Sequence, residues 1–506
     1  MAHRWLHSSL LSSSRQLSIA KAIRGKIPLA VLLLFCAAVP PSAAQEQPAR
    51  DGSSALPRRI EGLIAGAGIK GKLGIAIVDA GTGQKVFGHN ADLPLNPASN
   101  VKLITAAVAL LELGADFCMR TGIYGQIEGD AVRGGLYLKG FADPSLRLSD
   151  LVELARALRS RGVLSVDDVL VDDSYLDDQI LPPAFDQKSR DTSAYRAAVG
   201  AVSVEQNAYL LRVRPGSAAG SRAMVHLDIP GYFELDNQLT TGAQGPPSVI
   251  AVQNPGKGKL ELLLKGNVPL SARQLSYRRR VADPSSYAGY AMVEALRAVR
   301  ISAPRRTRTE KIPRGMPLLA SRCSPPLGQI LTELGKQSDN FTAEMVLKVL
   351  GAERVKRPGT SADGAKVALN ALGRMGVETD AVTMVNGSGL FAGNLFSASS
   401  FCRLLAAVHA NAAIRPDFLA HLAVGGVDGT LAGRLRELPM PGVVRAKTGT
   451  LNEVISLSGY VLGPSPERVI AFSVLVNGVK GQRQAARQLA DDVATAIARH
   501  LWSEGS

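Results

Sequence analysis

The chain has 506 residues, of which 46% are hydrophobic and 20% charged, with 58 Lys and Arg against 43 Asp and Glu. This length supports two or three packed cores, and the composition excludes wholesale disorder. The net charge of +15 suits solubility or an anionic partner.

Residues 1–44 read as a secretory leader. Arg4, Arg15, Lys21, Arg24 and Lys26 form a basic front without an acidic residue, an apolar run covers 27–39, and Ser42-Ala43-Ala44 offers small residues for cleavage near Ala44. A run of 13 residues is shorter than the roughly 18 a spanning helix needs. Phe35 before Cys36 does not suit lipidation. No later stretch is long and apolar enough, so no integral membrane span is expected after processing. Losing five basic and no acidic residues leaves +10. The expectation is an exported protein, periplasmic or secreted, with no nucleic-acid partner.

In chain order, 73–78 (L-G-I-A-I-V) predicts a strand, 79–84 (D-A-G-T-G-Q) a turn and Lys85–His89 a second strand. Asn96 caps a helix with Pro97 at its first position, and Val101, Ile104, Val108 and Leu111 carry it to Gly114. From about 122 to 280 short β-like runs at 135–139, 169–171, 210–213 and 260–265 alternate with Gly-, Pro- and Asp-rich turns, which predicts a strand-rich insertion. Helical periodicity returns at 286–300. Residues 328–336 and 341–350 read as helices around a turn at 338–340, while 443–446, 454–461 and 469–476 read as an antiparallel meander. An amphipathic helix over 482–501 closes the chain. The expected class is α/β, with the early hairpin joining the late strands in an antiparallel sheet flanked by helices. The expected domains are 45–121 plus 281–506, interrupted by 122–280.

Cys118, Cys323 and Cys402 remain after processing, allowing one disulfide at most and leaving one thiol free. Their spacing fits no metal site, the histidines are scattered, and no metal or cofactor is expected.

Three short strings carry the chemistry: Ser99-Asn100-Val101-Lys102, Ser338-Asp339-Asn340 and Lys447-Thr448-Gly449. Ser18-Ile19-Ala20-Lys21 fits the first pattern too, but it lies in the leader. A serine hydroxyl is a weak nucleophile at neutral pH and needs a base within reach. Lys102, three residues on, shares a helix face with Ser99. Desolvation and a second cation, Lys447, would lower its pKa. The helix start at Ser99 favours a developing oxyanion. In a turn, Ser338 and Asn340 can point into one cleft, where Ser338 relays a proton and Asn340 binds Lys102 and substrate. Gly449 lets a substrate backbone approach the strand, the cation and hydroxyls of Lys447, Thr448 and Thr450 suit a terminal carboxylate, and the Thr450 N–H completes an oxyanion hole.

This set occurs in penicillin-binding proteins and serine β-lactamases. The sequence resembles the class C low-molecular-mass penicillin-binding proteins, the D-alanyl-D-alanine carboxypeptidase/endopeptidase family, over roughly 55–500. Gly140-Phe141-Ala142-Asp143-Pro144 resembles the family's G-x-G-D-P. Val281-Ala282-Asp283-Pro284 resembles its V-x-D-P, where the chain re-enters the catalytic domain. Gly387-Ser388-Gly389-Leu390 and 426–431 also match, as does the 239-residue step from Ser99 to Ser338. The resemblance implies a serine β-lactamase/transpeptidase-like core with two inserted domains. It also implies hydrolysis of D-Ala-D-Ala or D-Ala-diaminopimelate bonds in peptidoglycan stem peptides through a Ser99 acyl-enzyme that β-lactams trap. By the same resemblance Asp143 contacts a side-chain amine of the substrate. The sequence departs from the family at Asn386, at Phe391-Ala392 and at Ala142. Two other readings remain: a β-lactamase-type hydrolase, against which no E-x-x-x-N string follows Asn340, and a non-catalytic wall-binding protein.

Overall fold

A computed structural model describes residues 55–188 and 191–503. The expected leader over 1–44, with Cys36 and the cleavage site near Ala44, lies outside them. Among the described residues no helix is long and apolar enough to cross a membrane.

One antiparallel sheet has six strands, in the order Ala423–Val424, Val444–Leu451, Val454–Leu462, Val469–Asn477, Lys72–Asp79 and Lys85–His89. The early hairpin joins the late meander as expected, with Lys72 opposite Asn477 and Asp79 opposite Ile470. Alternation along the strands sends side chains to two faces. Leu73, Ile75 and Ile77, with Phe472, Val474 and Val476, lie under the helices Ala55–Ala67 and Arg483–Ser503. Ala76, Ala471 and Leu475 face the opposite layer, which holds Val101–Leu113 and Ala398–Ala410. Each fully buried large aliphatic side chain contributes about 1.5–3 kcal/mol, so both layers are held firmly to the sheet.

The helix expected from Pro97 starts later. A 3-10 turn, Ala98–Asn100, precedes the α-helix Val101–Leu113. The cause is Ala98, whose φ of 47° is left-handed and cannot continue a right-handed helix. The N-cap position of the turn falls to Pro97 and not to Asn96, whose Oδ1 accepts from the Ala98 N–H two residues on, at 2.9 Å. Every residue of the helix from Val101 to Leu110 is buried.

The insertion is strand-rich but also contains the helix Leu148–Ser160, whose Leu151, Leu154, Ala155 and Leu158 are buried. Its larger sheet runs Thr307–Thr309, Val169–Asp172, Ala131–Gly140, Arg120–Glu128 and Leu318–Cys323, and two three-stranded sheets complete it. The expected return at 281 is not where the chain changes sheet. The helix Pro284–Ala298 packs Tyr287, Met292 and Leu296 into the insertion's core, and the strand Leu318–Cys323 pairs with Arg120–Glu128. Cys118 is bonded to Cys323 where the chain enters and leaves this sheet, and Cys402 stays buried and free. A cross-link spanning 205 residues removes much unfolded-state freedom, on the order of 5 kcal/mol in the chain-entropy picture.

Candidate active site

Ser99 stands half-buried in the 3-10 turn, directly after left-handed Ala98. Two glycines let neighbouring segments close on that turn. A Cβ on Gly389 would lie 1.8 Å from the Ala98 carbonyl oxygen, and one on Gly449 would lie 2.1 Å from Ser456 Oγ and 2.9 Å from the Pro97 carbonyl oxygen. The space that Gly449 leaves is therefore filled by the protein's own turn and not by a substrate backbone.

Lys102 is fully buried because its helix is enclosed on all sides. Its Nζ lies 3.1 Å from Ser99 Oγ, 2.8 Å from Asn340 Oδ1 and 2.5 Å from the Ser388 carbonyl oxygen. Burial lowers its pKa to about 7, against the opposing pull of Glu344 and Asp339. A neutral amine is thus accessible near physiological pH.

Ser338 ends the helix Leu327–Gln337 in a left-handed conformation, φ 55°. Asp339 then caps the next helix, Asn340–Arg354, by accepting from the Thr342 N–H at 2.9 Å. This sharp reversal turns the Ser338 and Asn340 side chains to two different lysines. Lys447 Nζ donates to Ser338 Oγ at 2.7 Å and to the Thr448 carbonyl at 2.9 Å. Lys447 is also fully buried, and desolvation, with the charge of Lys102 beside it, holds its pKa well below the usual lysine range. The strand expected to stop at Ala446 continues to Leu451, so 447–450 lie within it. Its outer neighbour Ala423–Val424 pairs only as far as Ala446. Among the described residues no strand covers the edge beyond, and an extended peptide can lie along such an edge. Thr448 Oγ1 donates to Thr430 Oγ1 at 2.8 Å, and Thr450 is exposed.

Asp143 lies elsewhere, buried inside the insertion with 1% of its surface exposed. Oδ1 accepts from the Ser145 N–H (2.8 Å) and Oγ (2.6 Å), and Oδ2 accepts from Arg322 Nη1 at 2.5 Å. Burial pushes its pKa up while Ser145 and Arg322 pull it down. The contact with a substrate amine implied by the resemblance is closed to it in this conformation, because Arg322 already occupies the carboxylate.

Residues 58–499 match the model of the D-Ala-D-Ala carboxypeptidase 3 (S13) family. The chain belongs to this family. It is a serine peptidase by that membership, and it is 33% identical to the D-alanyl-D-alanine carboxypeptidase of Actinomadura sp. (strain R39), over 87% of this chain and 84% of that one. It is also 24% identical to the D-alanyl-D-alanine carboxypeptidase DacB of Haemophilus influenzae, over 78% of this chain and 83% of that one. Penicillin binding protein 4 (dacB) from Haemophilus influenzae shares the fold, with a TM-score of 0.73 and 21% identity over 86% of this chain and 99% of that one.

This S13 member holds its site together with residues that the three strings do not include. Glu344, fully buried, accepts from the N–H groups of Gly387 (3.1 Å) and Ser388 (2.8 Å), the latter being the residue whose carbonyl meets Lys102. Thr105 Oγ1 donates to the Gly387 carbonyl at 2.8 Å. Asn386 Oδ1 accepts from the Gly389 N–H at 3.0 Å and from Asn394 Nδ2 at 2.8 Å. The insertion reaches the site as well: the Tyr195 carbonyl accepts from Asn340 Nδ2 at 3.0 Å, and buried Arg196 lies over the Phe391 ring. The available signal for Glu344 was a carboxylate set in an apolar helical run, Phe341 to Leu350. It reads equally well as half of a surface pair with Lys348, four residues on. Lys348 is in fact buried and bonded to Asp177 and to the Gln179 carbonyl.

Proposed function

We propose that this carboxypeptidase acts outside the cytoplasm on peptidoglycan stem peptides ending in D-Ala-D-Ala, with Ser99 as nucleophile and Lys102 as its base. The substrate lies along the open edge of 447–451, its terminal carboxylate toward Lys447, Thr448 and Thr450. Ser99 Oγ attacks the penultimate D-Ala carbonyl and gives its proton to neutral Lys102. The backbone N–H groups of Ser99 and Thr450 receive the negative oxygen. Ser338 gives its hydroxyl proton to the departing amine and takes one from Lys447, to which it is hydrogen-bonded, as the C–N bond breaks and the Ser99 ester forms. Water then attacks the ester, its proton returning to Lys447 through Ser338, and Lys102 gives its proton back to the Ser99 oxygen as the shortened peptide leaves. The same cycle cuts a D-Ala-diaminopimelate cross-link when the leaving amine belongs to a neighbouring stem.

A β-lactam presents a strained amide to the same serine and leaves an ester that does not turn over readily. A solved structure of the Haemophilus protein contains a β-lactam, which supports this reading. The observation that carries the proposal is the buried Lys102 Nζ at 3.1 Å from Ser99 Oγ. Intact-mass spectrometry after penicillin treatment tests it. One penicilloyl group should appear on the wild-type protein and none on folded Ser99→Ala, and persistent labelling of that variant would remove Ser99 from the mechanism. Digestion of purified muropeptides then separates loss of a terminal D-Ala from cleavage of cross-links.

A further inference from the structure

A cavity of about 1100 Å³ opens between the first helix, the 433–437 loop and the closing helix Arg483–Ser503. These helices cover the face of the sheet opposite the one that faces Val101–Leu113, so the cavity is separate from the acyl-transfer site. Six arginines line it: Arg59, Arg434, Arg436, Arg483, Arg487 and Arg499. Arg434 is committed to Asp491 in a two-pronged pair, with Nη2–Oδ1 at 2.6 Å and Nε–Oδ2 at 3.1 Å. The other five are exposed and make no hydrogen bond or ion pair with the described residues. Glu437 and Asp492 are the two remaining carboxylates of the lining, which leaves a net charge of +3.

Some exposed arginines elsewhere find carboxylates, as Arg133 does with Asp167, Arg357 with Glu353 and Arg374 with Glu112, and others, such as Arg159 and Arg273, stand singly; here five unbonded guanidinium groups line one cavity. On the closing helix, Arg483, Arg487, Asp491, Thr495 and Arg499 follow one another at steps of four and form a single stripe. At about 1.5 Å per residue this stripe is roughly 24 Å long. Asp491 at its middle is already neutralised by Arg434, so the stripe presents positive charge along its length. Like charges four apart oppose helix formation, a cost that an anionic ligand would offset. Guanidinium groups bind phosphate and carboxylate in two-pronged fashion. No large apolar side chain of the lining is exposed, so nothing in the groove suits insertion among lipid chains.

We propose that this groove binds a linear polyanion, with phosphate or carboxylate groups spaced along an extended chain, and so holds the enzyme against an anionic polymer while the opposite face does the chemistry. The test uses the processed protein and fluorescence anisotropy of labelled inorganic polyphosphate and labelled poly-glutamate at low and rising salt. Arg483→Glu with Arg487→Glu should weaken binding by at least about tenfold and flatten the salt dependence. Arg305→Glu with Arg306→Glu changes net charge equally on an exposed loop outside the groove, and it should leave affinity within about twofold. Penicillin acylation should be unchanged in both, which confirms the fold. Should Arg483→Glu with Arg487→Glu disturb the helix, Arg483→Gln with Arg487→Gln replaces that pair. Binding of polyphosphate alone or of poly-glutamate alone supports the groove and identifies the anion. Equal losses in the two charge-reversed proteins, no binding of either polymer by the wild type, or binding only to phosphatidylglycerol vesicles would each overturn the proposal.

Discussion

The two faces of the six-stranded sheet follow opposite rules. Behind it, Leu73, Ile75, Phe472, Val474 and Val476 meet Leu489, Val493 and Ile497 in an aliphatic layer. On the front side, the helix that carries Ser99 and the segments around it bury Lys102, Glu344, Asn386, Ser388, Asn394 and Lys447. Each buried charge costs several kcal/mol in desolvation unless neighbours compensate. Here the compensation is local and specific: Ser388 and Asn340 for Lys102, Ser338 for Lys447, and two loop amides for Glu344. The back stabilises the sheet without regard to chemistry, and the front uses part of that stability to hold two lysines in a dry site where their protons are loosely bound.

The sharpest way to break this contrast is Lys102→Arg. Guanidinium keeps the charge but cannot deprotonate in a protein. Acylation by penicillin should fall by more than about 10⁴-fold, beyond the usual worth of a general base, because the Lys447 pair is disturbed as well. A folded variant that acylates within about tenfold of wild type would remove Lys102 from the mechanism.

On the back face the expected loss is in stability. Phe472→Ala should lower the unfolding free energy by about 3–5 kcal/mol, read by denaturant titration, while the acylation rate of the folded protein stays within about twofold. A large rate loss there would mean that the faces are not separable.

A smaller effect sharpens the front. Glu344→Gln keeps shape but removes the charge that supports the 387–388 amides, costing about 1–3 kcal/mol of stability. Glu344 raises the pKa of Lys102, so its neutralisation should move the pH midpoint of acylation downward. An upward movement would contradict the electrostatic coupling.

Much of this was legible in the chain because the signals are local. The alternation at 73–78 and in the late strands, and the period of the helix that follows Ser99, each encode a buried face within one element. The three strings brought Ser99, Lys102, Ser338, Asn340 and Lys447 to attention, and the structure brings those five together. Other features depend on distant partners. Which sheet Leu318–Cys323 joins is decided by pairing Cys323 with Arg120, some 200 residues earlier, and no nearby residue encodes that choice. The late start of the helix after Ser99 rests on a left-handed alanine, a residue without the usual marks of that conformation. Asp143 was read from a short string, but the string does not contain Arg322, which takes its carboxylate. Glu344 and Lys348 sit at the spacing of a surface ion pair, and only the packing around their helix shows that both are buried and bonded to different loops.

The central claim is that burial delivers Lys102 as a neutral amine at ordinary pH, and the pH dependence of penicillin acylation tests it most directly. Only the unprotonated amine can accept the Ser99 proton. With the Lys102 pKa lowered to about 7, the second-order rate should rise as pH increases through that value and level off above it. The imidazole of His421, pushed down to about 3 by burial, does not compete for this range. A rise centred near 7 that vanishes in Lys102→Arg is the result expected. A rate that keeps climbing toward the ordinary lysine pKa, or one that is flat across neutrality, would contradict the account.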